Sequence, residues 1–236
     1  MTGVSTAETG EILLGASYHK EEADVDGGFA GIFGRIAQGY FQRYGDRSEE
    51  LARIAAKNHK NGLANPYAHM RKAFDFQFCN TPSEKNPLVA PPLRRTDCSL
   101  VSDGAAAIVI ADEETAQSLE RAIGFRARQH VNDLLPLSRR ELTRLDGAQR
   151  AWQNALAEAG LSLDDLSLVE THDCFTVAEL MEYEAMGLAE AGQGYRVVRE
   201  GLAERGGRLP INLSGGLPPS SRLCAVRLPS WSALLL

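Results

Sequence analysis

Apolar residues recur at helical spacing in several parts of the chain and gather into short unbroken runs in others. From Gly31 to Tyr44 the residues Ile32, Ile36 and Tyr40 return every four positions and Gly45 follows, which predicts a helix with a glycine stop. A second helix is expected from Ser48 to about Asn58, with Leu51, Ile54 and Ala55 on one face, and Pro66 is expected to open a short one reaching Lys72. Ala148, Ala151, Trp152, Ala155 and Ala159 give a narrow small-residue face to a helix capped by Asp146 and stopped by Gly160. The β-branched run over 105–111, bounded by Asp112, predicts a strand buried on both faces. A helix from Glu113 to Ala122 and an edge strand from Ile123 to His130, with Arg126 and Arg128 at alternate positions, are expected next. The remaining stretches read as irregular: Met1 to Gly28, with one apolar knot at Ile12-Leu13-Leu14; the polar loop Asn58 to Asn65; and Asn80 to Arg95, with Pro82, Pro87, Pro91 and Pro92. So do the Gly-rich segment Leu188 to Arg208 and the tail Pro218 to Leu236, which has no helix or strand period.

The organising stretch runs from Leu166 to Leu180. A short apolar run ends near Thr171, then come His172, Asp173, Cys174 and Phe175, and a helix begins at Thr176 with Glu179 three residues on, the spacing of a capping box. The carboxyl end of a strand feeding the amino end of a helix is where open α/β sheets bind ligands. The positive helix end disfavours imidazolium and favours thiolate, so His172 is expected to stay neutral and Cys174 to acidify. A neutral imidazole is a donor suited to a developing oxyanion in acyl transfer or enolate chemistry. The plainer reading of Cys174 is a small buried apolar residue, as most cysteines at strand ends are. Further on, Leu209 to Leu217 is a short extended run breaking into a Ser214-Gly215-Gly216 turn, whose successive N–H groups could cradle an anion.

Composition narrows the class. With 236 residues, 44% of them apolar, the chain can bury a large core without a staple, and a net charge of -6 argues against nonspecific nucleic-acid binding. Cys79, Cys98, Cys174 and Cys224 are far apart and show no metal spacing, which points to reduced thiols in a cytoplasmic protein with no metal centre. No apolar segment is long enough for a membrane span, and the first residues lack the pattern of a signal peptide. His59 and His69 read as surface residues, and Arg94-Arg95 as a solvated pair.

Three stretches together resemble the thiolase superfamily, in particular the branch similar to the thiolase part of sterol carrier protein x. They are Ser102-Asp103-Gly104-Ala105-Ala106-Ala107, His172-Asp173-Cys174-Phe175 and Asn212-Leu213-Ser214-Gly215-Gly216-Leu217. The loop Lys57-Asn58-His59-Lys60-Asn61, followed by Asn65-Pro66, fits the same branch. The resemblance implies a layered α/β/α/β/α fold, present here incompletely. Residues 1–115 would be the latter part of a first half with its loop region, 120–217 most of a second half, and 218–236 a tail foreign to the family.

It also implies an acyl-CoA acyltransferase that cleaves 3-ketoacyl-CoA or runs the reverse condensation, with coenzyme A or acyl-CoA as substrate and no bound cofactor. His172 would contribute to the oxyanion hole. Phe175, Asp173, Cys174, Ser214, Gly215 and Gly216 would line the substrate. The family's nucleophilic cysteine, its Gly-His-Pro histidine and its second, basic cysteine have no counterpart in these 236 residues. The resemblance therefore implies a start at an internal methionine, a tail from another reading frame and little or no thiolase activity. The alternatives are a CoA-linked retro-aldolase subunit working with an OB-fold partner, and a catalytically dead interaction module. A homodimer is a further expectation of the family.

Overall fold

In the computed structural model, residues 3–101, 105, 107–216 and 234–235 are described. A capping box opens the chain: Ser5 Oγ accepts from Glu8 N and the Glu8 carboxylate accepts from Ser5 N, starting helix α1 (Thr6–Leu14). A short α2 (His19–Glu22) follows, so the opening expected to be irregular is largely helical. The Ser-x-x-Glu signal was there in the sequence. Helix α3 (Gly28–Tyr44) ends at Gly45, as the four-residue spacing requires, and buries Ile32, Ala37 and Tyr40.

Helix α4 (Ser48–Gly62) runs a full turn beyond its expected end. The polar residues Lys57, Asn58, His59 and Asn61 are buried helix residues rather than a loop. No helix forms from Pro66 to Lys72. Instead α5 (Phe76–Asn80), capped by Asp75, packs Cys79 against Ala52 and Ala55 of α4. The proline-rich stretch is extended, as expected, and folds into a small antiparallel pair, β1 (Leu88–Ala90) with β2 (Leu93–Arg94), in register Leu88 to Arg94 and Ala90 to Leu93. A 3-10 turn at Arg95–Asp97 follows. Arg94 is buried rather than solvated, 2.9 Å from Asp97, and donates to Ser48 O and Asn80 Oδ1.

The run expected to be a doubly buried strand is neither strand nor buried. Ile108, Val109 and Ile110 are 75%, 95% and 72% exposed and have no ladder partner among the described residues. A strand needs neighbours to take its N–H and C=O groups, and none lies beside this one. The expected helix Glu113 to Ala122 shortens to α6 (Glu113–Gln117), capped by Asp112, and the stretch Ile123 to His130 forms no strand. Helix α7 (Asp146–Ala159) is as expected in length and ends at Gly160 in the left-handed region. Its N-cap is Leu145, with Asp146 already in the first turn.

Strand β3 (Val169–Glu170) leads into α8 (Thr176–Ala185), which Met186 caps. The stretch expected to be Gly-rich loop contains α9 (Gly194–Arg199). Beside β3 runs Ile211, in parallel, and Val169 also pairs in parallel with β4 (Leu234–Leu235), a short strand where no period was visible. The rest of the tail lies outside the described residues, as do Ser102 to Gly104 and Leu217.

The core is built around α8. Thr176, Val177, Ala178, Glu179, Leu180, Met181, Tyr183 and Ala185 are all buried, so the helix is enclosed on every side by α3, α4, α7 and α9. One apolar cluster joins Tyr40, Leu51 and Ile54 to Trp152, Val169, Leu180, Val197 and Ile211, drawing on both halves expected from the sequence.

Candidate functional site

At the start of α8 the expected capping box does not form. Phe175 is the N-cap and makes no side-chain cap, while Thr176 Oγ1 donates instead to buried Asp97 Oδ1 at 2.8 Å. Glu179 turns away from the helix end into a buried polar cluster. Its Oε1 accepts from Lys57 Nζ at 2.6 Å and from the Tyr183 hydroxyl, and its Oε2 accepts from Asn58 Nδ2 at 2.6 Å and Asn212 Nδ2 at 3.1 Å. Tertiary partners displace the local cap because the helix start is buried, and an unpaired carboxylate there would be costly.

The turn after Ile211 is fastened to α4 and the residues just after it by side chains spaced four residues apart. Lys57 Nζ donates to Ile211 O at 2.9 Å, Asn61 Nδ2 to Asn212 O at 3.1 Å and Asn65 Nδ2 to Ser214 O at 3.0 Å. Asn212 adopts a positive φ of 55° and its Oδ1 accepts from Thr171 N at 2.9 Å, tying this turn to the end of β3. Ser214 donates to Glu170 twice, from N at 2.9 Å and from Oγ at 2.6 Å. Gly216 lies against Asp173 so closely that a Cβ there would come 2.1 Å from Asp173 Oδ2, at a φ of 61° that also favours glycine. In the Ser214-Gly215-Gly216 turn read as an anion nest, Ser214 N is therefore already taken by Glu170 and Gly215 N by Asn212 O.

His172 and its neighbours divide sharply. Asp173 is fully buried and accepts from Asn58 Nδ2 at 2.7 Å. Phe175 is buried, stacked on Phe33 with centroids 4.2 Å apart and tilted against Phe29. His172 is exposed at the surface, and its ring meets no hydrogen-bond partner among the described residues. Enough protein still packs against the ring that desolvation holds its pKa below the ordinary imidazole value. Neutrality was expected from the helix dipole; desolvation of the ring acts in the same direction.

Of its two readings Cys174 follows that of a small, packed residue and not that of an acidified thiol. Burial, with the negative charge of Asp173 beside it, pushes its thiol up to about 12 instead of lowering it. Cys98, also half-buried, is pushed up to about 12, and Cys79 to about 11, both mainly by burial. Glu182, nearly two turns into α8, is a missed titrating group: burial raises its carboxyl to about 7 against the opposing hydrogen bonds of Thr171 and Trp152. His59 is likewise buried, not superficial, packed edge-on to Phe74 and held at about 4 by desolvation, while His69 is exposed. The signal that could have revealed the α4 contribution is the spacing of Lys57 and Asn61, polar residues on one helix face, continued by Asn65 four residues further on.

Among the described residues no group of three or more His, Cys, Asp or Glu side chains could hold a metal ion, and no helix is long and apolar enough to cross a membrane. An open cavity of about 540 Å³ is bounded by Leu188, Gln193, Arg196, Val197, Glu200 and Leu202, away from His172.

Residues 129–222 match the family model described as "Thiolase C-terminal domain-like". The chain is 33% identical over 204 residues to "Acetyl-CoA acetyltransferase" of Methanothermobacter thermautotrophicus, covering 86% of this chain and 52% of that protein. It is 33% identical to human "Sterol carrier protein 2", covering 79% of this chain and 35% of that protein. The chain therefore spans about half or less of the length of these relatives. Among solved structures it superposes on "Ltp2-ChsH2(DUF35) aldolase" with a TM-score of 0.70 at 24% identity, covering 80% of this chain and 50% of that one. It superposes on the SCP2-thiolase like protein type 1 of Mycobacterium smegmatis with a TM-score of 0.62 at 19% identity, covering 80% and 41%. At those identities the two structures carry the fold, a layered α/β arrangement of thiolase type, and the sequence relatives carry the kinship. The chain belongs to the thiolase superfamily, on the branch that holds the sterol carrier protein 2 thiolases.

Proposed function

We propose that this chain forms the oxyanion-binding side of an acyl-CoA site in a thiolase-type acyltransferase, one that cleaves 3-ketoacyl-CoA or runs the reverse condensation. The observation that carries this reading is His172: an exposed imidazole kept neutral by partial desolvation, at the junction of β3 and α8. A neutral ring offers an N–H to the thioester oxygen without a full charge that would bind ground state and transition state alike. Asp173, Cys174 and Phe175 shape the turn that carries it. Ser214, Gly215 and Gly216 form the opposite lip of the site, with residues 1–115 and 120–217 as the two contributing parts.

The described residues supply no activated nucleophile. Thiols at about 11 or 12 hold almost no thiolate at neutral pH, so Cys79, Cys98 and Cys174 are unsuited to attack a thioester. The 236-residue chain is therefore proposed to bind acyl-CoA weakly and to turn it over at background rate. Purified chain titrated with acetoacetyl-CoA and with coenzyme A decides this: His172→Ala should weaken thioester binding at least tenfold and leave coenzyme A binding unchanged. Thiolysis well above background, or thioester affinity indifferent to His172, overturns the reading.

A second reading, a retro-aldolase subunit acting on a CoA-linked side chain with an OB-fold partner, is favoured by the superposition on a solved aldolase complex. Copurification with an OB-fold protein, and cleavage appearing on mixing the two, would select it. A homodimer is the corresponding proposal for the acyltransferase reading.

A further inference from the structure

We propose that Asn58 is a positioning residue that holds His172 in register with the turn 211–216, so that helix α4 assembles the face presented to the thioester oxygen. The functional part of this idea rests on the reading of His172 above; its structural part does not.

Asn58 is 0% exposed, and its carboxamide nitrogen donates to two carboxylates from different parts of the chain, Asp173 Oδ2 at 2.7 Å and Glu179 Oε2 at 2.6 Å. This orientation of the amide is fixed by chemistry, since the flipped one would set Oδ1 against both carboxylates. Its Oδ1 finds no partner among the described residues, so the side chain sits there for its two N–H groups. Asp173 adjoins His172 in the chain and presses on Gly216 in space. Glu179 anchors Asn212. From the same helix Lys57 and Asn61 take the carbonyls of Ile211 and Asn212, and Asn65, just past its end, takes that of Ser214. One face of α4 thus grips both arms, the one bearing His172 and the one bearing Ser214 to Gly216, and Asn58 is the grip on the His172 arm.

An uncharged double donor is the fitting group for this position. Lys57 already lies against Glu179, and Tyr183 donates to the same oxygen, so Asn58 can bridge the two acids without adding charge to the cluster. An ionised carboxylate of the same shape would face Asp173 and Glu179 with nothing to donate.

The test uses the full chain with nitrogen-15 labelling. In Asn58→Ala, the His172 pKa is expected to move back up toward 6.5 as the ring solvates. The amides of Thr171 and Ser214, which close the contacts between the two arms, are expected to exchange at least tenfold faster in a protein that keeps its helical spectrum. In Asn58→Asp, those amides should be better protected at pH 5, where the new carboxyl holds one proton and can donate to one of the two acids, than at pH 8, where it has none, after correction for intrinsic exchange. A folded Asn58→Ala with His172 and both amides unchanged overturns the proposal, and so does an Asn58→Asp whose protection is the same at both pH values. If Asn58→Ala does not fold, Asn58→Asp decides alone. None of these measurements involves acyl-CoA, so a failure of thioester binding counts against the proposed function and not against this role of Asn58.

Discussion

Lys57 Nζ lies 2.6 Å from Glu179 Oε1, and both side chains are buried. This pair joins α4 to the middle of α8, with Asn58, Asn212 and Tyr183 satisfying the rest of the Glu179 carboxylate. Removing one member leaves an uncompensated charge in the core. Lys57→Met should therefore destabilise the chain by about 3 to 5 kcal/mol. The double variant Lys57→Met, Glu179→Gln should recover more than half of that loss, since no charge is then left alone. Urea unfolding followed by far-ultraviolet circular dichroism measures both, and additive losses in the double variant would contradict the coupling.

Two buried titrating groups tilt the pH dependence of stability in opposite directions. His59 stays neutral down to about pH 4 in the folded chain, whereas the unfolded chain takes up its proton near 6.5. The unfolded state then binds more protons between pH 6.5 and 4, so this contribution is present above 6.5 and lost as pH falls. Glu182 behaves in reverse: its folded carboxyl holds a proton up to about pH 7 and its unfolded one only to about 4.5, so stability is lost as pH rises through that window. Each is worth about 3 kcal/mol. Between pH 4.5 and 6.5 the two should largely cancel. His59→Leu should leave stability falling with rising pH across that range, and Glu182→Gln should leave it rising. Parallel profiles for the two variants would contradict the assignment.

How much of this was legible beforehand depended on whether local or distant partners decide a residue's fate. Helices α3 and α7 follow from periodic apolar faces and glycine stops, which act within a turn or two. The order of β3, His172 and α8 was equally legible. Thr176 and Glu179, by contrast, have the spacing of a cap and serve instead as partners for Asp97 and Lys57, which lie 79 and 122 residues away. The buried state of His59 and Asn58 was hidden for the same reason: polar residues read as solvated until their partners are known. Ile108 to Ile110 show the converse. Their β-branched run speaks for a strand, but strand formation depends on neighbours that the described residues do not provide.

That exposed run has a consequence for solution behaviour. Three consecutive exposed β-branched residues, with no ladder partner among the described residues, form a site for edge-to-edge association. Light scattering of the purified chain should rise with concentration, and Val109→Lys should reduce it severalfold without altering the helical spectrum. Unchanged scattering in Val109→Lys would place the association elsewhere.

The thiols offer an independent check on the absence of an attacking group among the described residues. In a Cys224→Ser background, alkylation of Cys79, Cys98 and Cys174 at pH 8 should be at least a hundredfold slower than that of free cysteine, because burial disfavours each thiolate. Rapid single-site modification at Cys174 would reveal an activated sulfur beside His172.

His172 is proposed as an uncharged donor for a thioester oxygen. Nitrogen-15 NMR of its imidazole, followed through a pH titration and then through addition of acetoacetyl-CoA at pH 7, tests this most directly. The account expects a single N–H tautomer at neutral pH, a pKa below 6.5, and a downfield shift of that N–H proton on adding the thioester but not on adding coenzyme A. A ring that titrates at or above 6.5, or one blind to the thioester when binding is otherwise detected, would contradict it.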